Sequence, residues 1–234
     1  MKVLVVENYD NTGLGQIATA LDEAGAVITV VRAHRGEPLP SGHDGHDAII
    51  VLGGGQNAVA DDEYPYLPAL AGLMRAFADS GRSTLGICLG SQILARAYGA
   101  ENLIGAAPEF GWQTVALTPE GGEDPVLSAV PQTFPIFQWH DDTFTLPRGA
   151  TRLAGNDAAH NQAFRIGRAG YGIQFHFEAD RKLIGEWHEA FPETIAAKRA
   201  GWMDIYPAEA ETHGPAADAA GLAIARAWIA TISR

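Results

Sequence analysis

Short runs of β-branched and aliphatic residues alternate along the first half of the chain with stretches whose apolar positions recur at helical spacing. Residues 2–6 (KVLVV) have no polar alternation, the pattern of a strand buried on both faces. Residues 14–24 then place Leu14, Ile17, Ala18 and Leu21 on one helical face, with Gly25 as the stop. Residues 27–31 (VITVV) and 48–52 (AIIVL) read as the second and third strands, separated by a Gly-, Pro- and His-rich connection. A helix over 68–79, a strand over 83–87 and a helix over 91–98 complete the alternation. Strands separated by helices of this length predict an α/β fold, a mostly parallel twisted sheet with helices on both faces. In such sheets functional groups gather at the carboxyl ends of the strands, here residues 8–10, 53–56 and 88.

The second half changes character. Residues 113–117, 133–137, 162–166 and 170–175 read as short strands joined by turns, a small antiparallel addition. From about residue 180 the chain is rich in Ala and Glu with helical spacing, and the last helix is expected over 216–232. Residues 193–214 read as a polar, irregular lobe or partly mobile insertion. No repeat, low-complexity tract or linker interrupts residues 1–234, so one domain with a helical C-terminal extension is expected.

Composition narrows the function classes. Of 234 residues, 47% are hydrophobic and 19% charged, which excludes disorder for the chain as a whole. The net charge is −12 and no Lys/Arg run occurs, so the chain is expected to bind neither nucleic acid nor an anionic membrane surface. The opening run is too short for a signal-peptide core, and no segment has the length of a membrane span. A single cysteine precludes an intrachain disulfide and fits a reducing, cytoplasmic setting.

That cysteine, Cys88, sits in STLGICLGSQILARAYG, where a strand is followed at once by a helix. A nucleophile held on such an elbow needs small residues two before and two after it, and Gly86 and Gly90 supply them. A thiol there faces the positive end of the helix dipole, which suits a thiolate. The string GICLGSQ resembles the Gly-x-Cys-x-Gly-x-Gln nucleophile motif of class I glutamine amidotransferases. Downstream, YGIQFHFEAD resembles the strand carrying that family's His and Glu, two residues apart, which map to His176 and Glu178. Alternate residues of an extended strand share a face, so both side chains could turn towards the thiol. The resemblance covers roughly residues 1–180 and implies a flavodoxin-like fold.

It implies further roles residue by residue. His176 would move the proton of Cys88, and Glu178 would orient the imidazole. Leu89 and Gly54 would offer oxyanion amides, although Gly55 and Gln56 follow where the family usually has proline. Gln92 would help hold the amino-acid end of the substrate, and Glu109 to Trp112 resembles a family segment that contributes pocket wall. Trp139, His140, Asp141 and Asp142 cluster where relatives carry His-x-Asp; they either grip a substrate ammonium or pack and cap a turn. His34, His43, His46 and Asp44 lack recognised ligand spacing, so no metal is expected, and no cofactor is called for.

The activity implied is cleavage of a γ-glutamyl amide, glutamine or a related small molecule, through a glutamyl thioester. One alternative is a glutaminase subunit that works only beside a separate synthase subunit. The other is a non-catalytic binding or regulatory module of the same fold. No other Gly-x-Ser-x-Gly string supports a serine hydrolase. Leu222, Ile224 and Trp228 of the final helix either pack on the core or serve a homodimer.

Overall fold

A computed structural model describes residues 1–233. Its main element is a nine-stranded sheet. The chain begins with β1 (Lys2–Glu7), α1 (Gln16–Glu23), β2 (Val27–Arg32), β3 (Ala48–Val51), α2 (Leu67–Asp79), β4 (Ser83–Ile87) and α3 (Leu89–Ala97). These seven elements lie within a few residues of the sequence expectation. Next come β5 (Asn102–Leu103), β6 (Glu109–Leu117), the short α4 (Pro119–Gly122), β7 (Thr133–His140), β8 (Thr143–Phe144), β9 (Thr151–Gly155), β10 (Ala163–Ile166) and β11 (Gly170–Ile173). Three helices close the chain: α5 (Arg181–Ala190), α6 (Pro192–Lys198) and α7 (Trp202–Ala230).

The sheet order is β2-β1-β3-β4-β11-β10-β9-β6-β7, with β5 and β8 forming a separate antiparallel pair. Strands β2, β1, β3, β4 and β11 run parallel. Strands β10, β9, β6 and β7 extend the same sheet in antiparallel sense. The segment 170–175, expected among the antiparallel additions, is therefore also a parallel strand. Its hairpin with β10 is local and legible, whereas its pairing with β4 is made across more than eighty residues of sequence.

The uninterrupted apolar run of β1 explains the layering. Val3 and Val5 enter a core shared with α1, α5 and α7, while Leu4 and Val6 enter a second core with α2 and α3 on the opposite face.

Residues 193–214 are not irregular. They form α6 and the first half of α7, so the final helix starts fourteen residues before the expected position. Pro207 and Pro215 lie inside α7 and obscured it in the sequence. Both are solvent-exposed, as are Met203 and Glu211, so water can satisfy the carbonyls that lose an amide donor. Ile224 and Trp228 are fully buried and Leu222 packs against the core, so these positions offer no exposed apolar face. Among the described residues no helix is long and apolar enough to cross a membrane.

Helix α7 seats directly on the backbone beyond β11. A Cβ on Gly221 would stand 2.1 Å from the Phe177 carbonyl oxygen and 2.5 Å from Gln16 Nε2. Gly221→Ala is therefore expected to cost about 2–3 kcal/mol in urea unfolding. Gly72→Ala, at an exposed position of α2 where an added Cβ would meet nothing within 4 Å, should gain up to about 1 kcal/mol.

Candidate active site

Cys88 is the N-cap of α3, with φ 49° and ψ −110°, and Asn11 is the only other non-glycine residue at positive φ among the described residues. A left-handed backbone at a bulky residue is strained and persists only where its surroundings leave no alternative. Here a Cβ on Gly86 would lie 2.2 Å from the Gly90 carbonyl oxygen, and one on Gly90 would lie 2.1 Å from that of Val51. The turn is thus pressed between β3 and the first turn of α3. The Cys88 amide is tied to the Ile173 carbonyl at 2.9 Å, and the thiol faces the Trp139 carbonyl at 3.7 Å.

His176 and Glu178 lie beyond the end of β11, not on a regular strand. The backbone of His176 makes one antiparallel bridge to Phe137 and then turns. His176 Nδ1 and Glu178 Oε1 stand 2.6 Å apart across that turn. Both side chains are buried. The Glu178 carbonyl accepts from the Gln16 amide at 2.9 Å, which fixes the turn to the start of α1. The imidazole packs edge-on against Trp187, with ring centroids 5.2 Å apart.

Burial opposes a charge on His176, but the Glu178 carboxylate and then the Cys88 sulfur outweigh it. The histidine pKa is raised well above its ordinary value of 6.5. Gly53 lies between the two groups: a Cβ there would be 3.3 Å from His176 Cε1 and 3.5 Å from Cys88 Cβ. Gly53, Gly54 and Gly55 border the cavity beside Cys88, and neither their amides nor that of Leu89 finds an acceptor among the described residues. The departure at Gln56 has a local explanation. Its Nε2 donates to the Asn8 carbonyl at 2.9 Å and to the Tyr66 hydroxyl at 2.7 Å, bracing the glycine loop. Burial, the largest influence, pushes the Tyr66 phenol up to about 12, so it remains a neutral donor to Asn8.

Cys88, His176 and Glu178 open onto one cavity of about 130 Å³. Of Gln92, Trp139, His140, Asp141 and Asp142, the residues considered for the substrate, only Trp139 lines it. Gln92 is buried and its Nε2 faces Gln174 Oε1 at 3.1 Å and the Asp142 carbonyl at 3.4 Å. His140 points the same inward way, 3.1 Å from Glu109 Oε2 and 3.0 Å from the Asp142 carbonyl. Asp141 pairs with Lys198 and borders an adjoining groove. The Glu109 to Trp112 segment does not wall the Cys88 cavity either. Glu109 accepts from Gln162 and Asn156 as well as facing His140, while Trp112 stacks on Tyr206 of α7.

Of the remaining walls, Tyr9 lies in the segment 8–10 expected at the functional edge of the sheet, and the others were not expected from sequence. Tyr9 and Thr12 come from the loop after β1, Trp187 from α5, Thr194 from α6 and Phe191 from the junction between those helices. The spacing of Trp187 and Phe191, one helical turn apart, was the available signal. Of the histidine-rich segment, His34 bonds Asp10 Oδ1 at 2.9 Å and the Glu7 carbonyl at 3.0 Å. Among the described residues no group of three or more metal-ligating side chains converges.

Comparison with known proteins bears on this arrangement. The family model described as glutamine amidotransferase class-I matches residues 4–187. The glutamine amidotransferase-like protein YfeJ of Salmonella typhimurium is 30% identical over 76% of this chain and 76% of its own length. One subunit of the glutamine-hydrolyzing GMP synthase of Methanoregula boonei is 31% identical over 58% of this chain and 68% of its own. The crystal structure of a glutamine amidotransferase from Thermotoga maritima superposes with a TM-score of 0.85 at 27% identity, covering 97% of this chain and 98% of that one. With a family match that spans most of its length and a fold shared almost end to end, the chain belongs to the class I glutamine amidotransferases.

Proposed function

We propose that this chain hydrolyses a γ-glutamyl amide, glutamine or a related compound, with Cys88 as nucleophile. The observation that carries this reading is the single cavity onto which the strained Cys88 elbow and the bonded His176–Glu178 pair both open. Cys88 gives its proton to His176 and attacks the amide carbonyl. The oxyanion that forms is received by the amides of Leu89 and Gly54. Collapse breaks the C–N bond, the leaving nitrogen takes the proton from His176, and a glutamyl thioester remains. Water then attacks the thioester with His176 as base, releasing glutamate and restoring the thiol. Glu178 holds the imidazole in one orientation and stabilises its charged form.

A second reading, a glutaminase that needs a separate synthase, is supported by the likeness to a subunit of a GMP synthase. The first is favoured by the cavity wall. Trp187, Phe191 and Thr194 close the site from within the same chain, so turnover is expected without a partner.

The decisive assay is release of ammonia and glutamate from L-glutamine by the purified chain. Cys88→Ala is expected to lower the rate by about 10⁴-fold or more. Activity surviving that change would overturn the reading. Activity that requires an added synthase would favour the second.

The raised pKa of His176 gives a further outcome. A group whose folded pKa is raised contributes stability that is complete below its unfolded value, near 6.5, and is lost as pH climbs through the folded value. Glu178→Gln removes the leading cause of the rise and leaves burial unopposed except by Cys88. The His176 titration, followed by ¹³C or ¹⁵N NMR, should move down, and turnover should fall by about 10²–10⁴-fold.

A further inference from the structure

Three consecutive glycines follow β3, and such a run has little conformational preference of its own. The proposed chemistry needs one of their amides, that of Gly54, held in a fixed place beside Cys88. Buried polar side chains that no step of that chemistry employs surround the loop. Asn8, just after β1, is fully buried and meets both ends of the loop. Its Nδ2 donates at 2.7 Å to the carbonyl of Leu52, the residue before Gly53. Its own carbonyl accepts at 2.9 Å from Nε2 of Gln56, the residue after Gly55.

The direction of each bond follows from the groups involved. A carbonyl only accepts, so Asn8 turns its Nδ2 to Leu52 and Gln56 turns its Nε2 to Asn8. Asn8 Oδ1 is then left to accept from the Tyr66 hydroxyl at 3.2 Å, and the hydroxyl oxygen accepts from Gln56 Nε2 at 2.7 Å. With both its N–H groups used, Gln56 carries its Oε1 against Gly54, where it has no hydrogen-bond partner. A Cβ on Gly54 would stand 2.6 Å from that oxygen, 2.9 Å from Leu89 Cδ2 and 3.1 Å from Asn8 Cβ. Gly54 is therefore packed among Asn8, Gln56 and the residue that offers the other oxyanion amide. The clamped loop also reaches the nucleophile, since Gly53 is in contact range of both Cys88 and His176.

We propose that Asn8 and Gln56 are positioning residues for the oxyanion, clamping the two ends of the glycine loop so that the Gly54 amide keeps one orientation beside Cys88; the inference rests on the γ-glutamyl amide reading above. Tyr66 couples the two side chains. A shift of about 1 Å in a group that stabilises the transition state can cost about 10²-fold in rate, so the clamp acts on turnover more than on binding.

The test uses the purified full chain and Gln56→Met, which keeps the reach of the side chain and removes both of its donated bonds. Acylation and thioester hydrolysis both pass through an oxyanion, so kcat for L-glutamine should fall about 10–100-fold whichever step limits, with KM changed less than about threefold. Tyr66→Phe should lower kcat about 2–10-fold. The double variant should fall little below Gln56→Met, because the two side chains act through one network. Alkylation of Cys88 by iodoacetamide separates this role from general support of the elbow. It displaces iodide at a saturated carbon and raises no oxyanion, so its rate and pH profile should stay within about twofold of wild type. Backbone order parameters of Gly53 to Gln56, from ¹⁵N relaxation, should drop from about 0.85 to below about 0.6 in Gln56→Met. Alkylation slowed as much as turnover would overturn the proposal; so would an unchanged kcat, or a loop that stays rigid in the variant. A wild type that releases no ammonia sinks the catalytic reading instead, and the clamp then stands or falls on the order parameters.

Discussion

The whole site hangs on a place where three pieces of backbone touch with no side chain between them. Strand β3, the end of β4 and the first turn of α3 meet at Gly86 and Gly90, where an added Cβ would stand within 2.2 Å of a carbonyl oxygen. This contact holds Cys88 in a left-handed conformation that no ordinary turn would keep. The strain is offset by the surroundings: β4 is buried along its whole length, and the core on one side of it is filled from α2 and α3. Once the elbow is set, the thiol, the first amides of α3 and the glycine loop after β3 have fixed relative positions. The other groups must be brought to them.

How they are brought explains what could be read from the sequence. The elbow is local, so its glycines, its strand and its helix are all visible within a dozen residues around Cys88. The His176–Glu178 pair was visible as a spacing and as a family resemblance, but its geometry was not. The pair meets across a turn fixed by the Phe137 bridge and by the amide of Gln16, contacts far apart in sequence. Gln92 and His140 sit near the elbow in space, yet their side chains are taken up by Gln174 and Glu109. For His140 the deciding fact is the β6–β7 register, which sets it opposite Glu109. Residue type and neighbourhood could not disclose which way those side chains turn.

The aromatic wall was the least legible part because most of its ring contacts join residues far apart in sequence. The indole of Trp187 reaches across 176 residues to the carbonyl of Asn11, the other residue held at positive φ. Its ring meets both His176 and Trp139. The polar run 193–214 read as an irregular lobe, while the structure uses most of the same stretch as helix. Propensity lost here to tertiary packing: Trp202 and Trp228 are both almost completely buried and anchor the two ends of α7.

Those anchors give the C-terminal helices a reason to exist. A buried carboxylate beside a buried imidazole is costly unless the two are held in close hydrogen-bonded contact, which here depends on the turn that carries them. In this chain the turn is held from two sides. Gln16 at the head of α1 binds the Glu178 carbonyl, and α7 comes close enough at Gly221 to contact the preceding carbonyl of Phe177. Helices α5 and α6 connect that turn to α7 and, in doing so, lay Trp187, Phe191 and Thr194 over Cys88. The C-terminal helices therefore do two jobs with one path. They support the His176–Glu178 turn from behind and cover Cys88 from in front, with less water around the charges the proposed chemistry would create.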